Sequence, residues 1–94
     1  MLIGSPEAGS TVAAPKALTL RFSEGLVPAA SHVTVTGPGG AAIVTGALSV
    51  GGKGQRVATV PFARPPAAGV YRVAWHMKTE DGHETDGTFA FKVR

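Results

Sequence analysis

The chain has 94 residues, nine Lys plus Arg against six Asp plus Glu, and a formal net charge of +3. It contains no cysteine, which excludes a disulfide framework and a thiolate metal centre. The positive charges are scattered singly and the aromatics number six (one Trp, one Tyr, four Phe), a pattern that argues against a nucleic-acid stacking platform.

The length fits a single domain, residues 1–94, with one core. The first residues, Met1-Leu2-Ile3-Gly4-Ser5, have no basic region followed by an apolar run and do not read as a secretory signal. The expected location is therefore periplasmic, or otherwise extracytoplasmic, if a signal was removed, and cytoplasmic if Met1 is the native start. No apolar run approaches the roughly 20 residues of a membrane-spanning helix, so direct insertion into a membrane is not expected.

In chain order, Ser10 to Ala13 is a weak strand candidate. Leu18, Leu20 and Phe22 then alternate with Thr19 and Arg21, and Val33 and Val35 alternate with His32, Thr34 and Thr36. Gly37-Pro38-Gly39-Gly40 is a turn, Ala42 to Ser49 a weak strand, and Gly51-Gly52-Lys53-Gly54 a second flexible turn. Gln55 to Phe62 is another weak strand, stopped by Pro65-Pro66-Ala67-Ala68-Gly69. The longest alternating run follows: Tyr71, Val73, Trp75 and Met77 against Arg72, Ala74, His76 and Lys78. Phe89, Phe91 and Val93 close the series. Period-two alternation gives each strand one buried and one wet face. About seven short strands with no helical period predict an all-β fold, an antiparallel Ig-like or cupredoxin-like β-sandwich.

Trp75 is the expected centre of the core, with Phe22, Phe89 and Phe91 around it. Its truncation to Ala should cost about 3–5 kcal/mol. Met77 is assigned to packing and Met1 to initiation, neither to a thioether ligand.

Between the last two strands lies Glu80-Asp81-Gly82-His83-Glu84-Thr85-Asp86. With His76 added, the segment holds two of the three histidines and four of the six acids. Asp81 and His83, separated by Gly82, can face one ion from a loop, which makes divalent-metal binding the first functional hypothesis. The competing reading of the same residues is a turn in which Asp81 caps backbone amides and His83 is only exposed. Glu80, Glu84 and Asp86 read as a solvated acidic loop that lowers the local potential. His76 and His32 fall on outward faces, His76 as a weaker candidate ligand and His32 as a surface residue.

The blocks Phe22-Ser23-Glu24, Val33 to Pro38, Gly69-Val70-Tyr71, Asp81-Gly82-His83 and Gly87 to Phe91, in this order and spacing, resemble the CopC copper-resistance domain. The resemblance implies a small periplasmic β-sandwich that binds Cu(II) and stores it, delivers it or confers resistance. It implies Asp81 and His83 as Cu(II) ligands, since Cu(II) favours tetragonal nitrogen and oxygen donors. It also implies Glu24 as an acid placed to orient an imidazole. The expected cofactor is weakly held Cu(II). The expected partners are the copper ion and a copper-transporting membrane protein, with no nucleic acid.

The family's site also takes an N-terminal histidine. The sequence before Pro6 is short of that pattern by about three residues, on the order of 10 Å of extended chain. The methionine- and histidine-rich segment of some relatives has no counterpart, because Ala41 to Val50 contains neither residue type. The alternative function is a metal-free Ig-like interaction or scaffold module, because this architecture hosts many roles. An enzyme is not expected: no cysteine is present and no serine lies in a Gly-x-Ser-x-Gly turn.

Overall fold

A computed structural model describes residues 3–94, so Met1 lies outside the described residues. Among the described residues eight strands form, β1 (Ile3–Ser5), β2 (Thr11–Val12), β3 (Ala17–Arg21), β4 (His32–Thr36), β5 (Ser49–Gly51), β6 (Val57–Pro61), β7 (Gly69–Lys78) and β8 (Glu84–Val93). They make two four-stranded sheets, ordered β1-β3-β6-β5 and β2-β8-β7-β4. All pairings are antiparallel except the short edge strand β2, which runs parallel to β8 through Thr11 and Val12. The sandwich predicted from alternation is therefore present, with one more strand and one parallel edge.

The two sheets bury what the alternation marked. Leu18 and Leu20 of β3, Ala58 and Val60 of β6, Val35 of β4, Tyr71, Val73, Trp75 and Met77 of β7, and Phe89, Phe91 and Val93 of β8 meet in one core with Phe22 and Leu26. Trp75, expected at its centre, belongs to it but lies toward its margin at 8% exposure, and Tyr71, Phe91, Leu18 and Leu20 are among the fully buried large side chains. The Trp75 ring meets Phe22 edge-on at 5.3 Å, and Tyr71 stacks on Phe91 at 5.5 Å. The Tyr71 hydroxyl leaves the apolar interior by donating to the Ala67 carbonyl at 2.6 Å. Gly87 lies opposite Trp75 in the β7–β8 register. A methyl group there would stand 2.6 Å from Trp75 Cζ2, so the indole occupies the space a side chain would fill.

The weak strand proposed over Ala42 to Ser49 is mostly an irregular connection. It touches the sheets through isolated bridges, Thr36 with Ala42 and Thr45 with Phe62, and becomes a strand only at Ser49. Val44 is 75% exposed, so no buried face enforces a regular ladder there.

Three segments converge at one end of the sandwich. The β7–β8 turn and the loop after β3 meet where Glu80 N donates to Gly25 O at 2.9 Å and Leu26 bridges Thr79. The β5–β6 connection joins them, with Leu26 N donating to Gln55 O at 2.8 Å. β1 begins at this end as well, because Ile3 pairs with Arg21 at the end of β3.

Candidate metal centre

The turn joining β7 to β8 is built from its own side chains. Continued past Met77, the inward parity of β7 turns Thr79 toward the core, where it is 7% exposed and is the buried polar residue among those described. Thr79 N donates to His83 O at 2.9 Å, and Gly82 N donates to Thr79 O at 3.0 Å, closing a tight turn. Gly82 sits at φ +89°, a left-handed conformation that glycine adopts without steric cost. That bend lets residues 81 and 83 face each other.

Asp81 is the hub. Its Oδ1 accepts the Thr79 hydroxyl proton and, at 3.4 Å, the His83 backbone N–H, while Oδ2 lies 2.9 Å from His83 Nδ1. The Thr79 hydroxyl holds the Asp81 carboxyl below its ordinary value of 3.8. Desolvation opposes the shift, and the His83 backbone N–H and imidazole reinforce it. The carboxylate is thus ionised and aimed in the neutral range, as a metal ligand must be. His83 is mostly solvent-exposed, its side chain 83% accessible.

The 2.9 Å between Asp81 Oδ2 and His83 Nδ1 has a second chemical meaning. Two ligands at right angles, each about 2.0–2.1 Å from an ion, stand about 2.9 Å apart. With Nδ1 deprotonated and the exposed ring turned so that its lone pair points past Oδ2 to a common ion, the pair keeps the spacing of neighbouring corners of a tetragonal site. Two donors do not complete such a site. Among the described residues, no three His, Asp or Glu side chains are grouped to hold a metal.

The other sequence candidates distribute as follows. Glu24 is exposed at the same end, next to Gly25, whose carbonyl receives the Glu80 N–H, yet none of the hydrogen bonds of the described residues joins it to an imidazole. His76 points from the outer sheet face, where its Nε2 lies 3.1 Å from Glu84 Oε1. It is also stacked on His32, the residue directly opposite on β4. The structure therefore groups His76 and Glu84 with each other and with His32, away from the Asp81–His83 contact. Met77 is fully buried and packs in the core. Thr79 was not among the sequence candidates; the signal for it was the parity of Tyr71, Val73, Trp75 and Met77 carried one step further. A hollow of about 540 Å³ lies at the far end of β7 between Pro38, Ile43, Val44, Pro66 and Tyr71, and no His, Asp or Glu lines it.

The family model described as the CopC domain matches residues 3–94. The chain belongs to the CopC domain family. This CopC domain is 39% identical over 90 residues to Protein YobA of Escherichia coli K12, covering 95% of the chain and 73% of that protein. It is 35% identical over 100 residues to copper resistance protein C of Pseudomonas syringae pv. tomato, covering 100% of the chain and 79% of the relative. Among solved structures, CopC from Methylosinus trichosporium OB3b superposes with a TM-score of 0.88 at 31% identity, covering 98% of this chain and 89% of that one. PcoC, a methionine-rich copper resistance protein from Escherichia coli, also superposes at 0.88, with 29% identity over 98% of this chain and 94% of its own. The fold expected from the sequence motifs is the fold these relatives have.

Proposed function

We propose that this CopC domain is a Cu(II)-binding protein of copper storage, delivery or resistance, and that Asp81 and His83 are ligands contributed by the β7–β8 turn. The observation that carries the reading is the 2.9 Å apposition of a carboxylate oxygen and an imidazole nitrogen. That carboxylate is fixed from behind by a buried hydroxyl. Both donors are of the kind Cu(II) prefers, and family membership makes copper the ion to test first. The reaction is ligand exchange, with no covalent step. Two ligands from one turn leave coordination positions for water or for donors of a delivering or receiving protein, which suits a carrier that exchanges its ion. A periplasmic location and a copper-transporting membrane protein as exchange partner belong to the same reading.

The turn also closes upon itself, since Asp81 Oδ1 takes the Thr79 hydroxyl and the His83 N–H. That observation favours the second reading, a metal-free interaction module whose loop is held by hydrogen bonds alone. Competition titration with a chromogenic chelator separates them. On the copper reading, Asp81→Ala and His83→Ala each weaken Cu(II) binding at least about tenfold, because even residues behind a ligand are worth 10–100-fold. Equal affinity in the parent and both variants would show that the turn is only a turn.

A further inference from the structure

The outer face of the β2-β8-β7-β4 sheet carries two imidazoles that the Asp81–His83 contact does not use. His32 of β4 and His76 of β7 are direct partners in the antiparallel register. Their rings stack with centroids 5.2 Å apart and planes inclined by 18°. His76 in turn faces Asp86 across the β7–β8 ladder, and Lys78 faces Glu84. Glu84 Oε1 reaches His76 Nε2 at 3.1 Å, so the row holds two imidazoles with a carboxylate already seated on one of them. Two of the chain's three histidines stand in this one row.

We propose that His32, His76 and Glu84 form a second site, independent of Asp81 and His83, that takes a divalent ion of the imidazole-binding class, Zn(II) or Cu(II). Opposed residues on one face of an antiparallel pair have Cβ atoms about 4.5–5.5 Å apart, close enough for both rings to reach one ion. The 3.1 Å between His76 Nε2 and Glu84 Oε1 is near the spacing of two adjacent ligands of such an ion. The remaining adjustment falls on His32. It is exposed and its side chain makes no hydrogen bond among the described residues, so its ring can leave the stack and turn about its own side-chain bonds to bring a nitrogen to the ion. Among the described residues no trio is already grouped at ligand distance, so the site depends on this turn of the His32 ring. The carboxylates of Glu84 and Asp86 stand in the same register rows as Lys78 and His76, so the row offers negative charge to a cation. The scaffold is rigid: β7 and β8 pair over ten residues each, and β4 and β7 over five. An ion bound here would tie β4 to the central hairpin.

The test uses Zn(II), which is diamagnetic, added to the full chain carrying Asp81→Asn and His83→Ala, so that the turn contributes nothing. Calorimetry gives stoichiometry, and the histidine ring resonances give location. The site predicts one Zn(II) per chain with His32 and His76 ring signals shifting together. It also predicts a loss of at least about tenfold in affinity in His32→Gln or His76→Gln, by the ligand-support scale above. Absence of stoichiometric binding in the Asp81→Asn, His83→Ala chain, or binding that neither glutamine variant weakens, overturns the site and leaves the pair as a stacking contact. Both outcomes are independent of whether Asp81 and His83 bind copper.

Discussion

Gly87→Ala probes the packing that holds the last two strands in register. The added Cβ would lie 2.6 Å from Trp75 Cζ2, 2.9 Å from Cε2 and 3.2 Å from Nε1, all atoms of a rigid ring. The ring also makes an edge contact with Phe22, which any yielding to the new methyl would disturb. Overpacking of this kind costs about 1–3 kcal/mol. Alanine recovers part of that, about 0.5–1 kcal/mol, through its lower backbone entropy than glycine in a strand. A gap this far below van der Waals contact puts the clash at the upper end of its range, so the net loss is about 2 kcal/mol. For a domain of this size each kcal/mol is worth about 4–8 °C, and thermal unfolding followed by the fluorescence of the single Trp should fall by about 8–16 °C. The cause is checked by a double-mutant cycle with Trp75→Phe. The smaller ring vacates the contested volume, so Gly87→Ala should be nearly neutral in that background. An undiminished loss there, or an unchanged melting temperature in the single variant, would refute the steric argument.

Thr79→Val keeps the volume and removes the hydroxyl that holds the Asp81 carboxyl below 3.8, so its titration, read by NMR, should move up toward that value. The sign follows from linkage. A carboxyl depressed in the folded state stabilises fully above its unfolded value, and that contribution is lost as pH falls through the folded one. The valine variant should therefore lose less stability than the parent between neutral pH and the acid side of that range. Tyr71→Phe leaves the Ala67 carbonyl without its 2.6 Å donor and should lower unfolding stability by about 1 kcal/mol in denaturant titration. Gly82→Val should cost about 1–2 kcal/mol, because residue 82 lies at φ +89° although nothing crowds its Cβ.

What the sequence made legible follows from where the forces are local. Strands β3 and β7, and β8 from Phe89 onward, were readable because they bury every second residue, β4 by the half-buried Val33 and buried Val35, and burial writes a period of two into the chain. β1 was not, since Ile3-Gly4-Ser5 carries no such period and becomes a strand only by pairing with β3. The stretch from Ala42 to Leu48 misled because its apolar residues suggest a strand, whereas Val44 lies in solvent. The contact between Asp81 and His83 was accessible because it spans two residues across a glycine. Thr79 needed the buried parity of β7 to continue into the turn. The stack of His32 on His76 depends on the register of two strands far apart in sequence, which no local pattern encodes.

The central claim is that copper sits in the β7–β8 turn. Its most direct test adds substoichiometric Cu(II) to the chain carrying His32→Gln and His76→Gln, where His83 is the remaining imidazole, and follows paramagnetic broadening of backbone amide signals. The account predicts that the amides from Thr79 to His83 disappear first, while those at the far end of β7 persist. Amides of the turn that survive one equivalent of Cu(II), or broadening spread evenly over the sandwich, would contradict it.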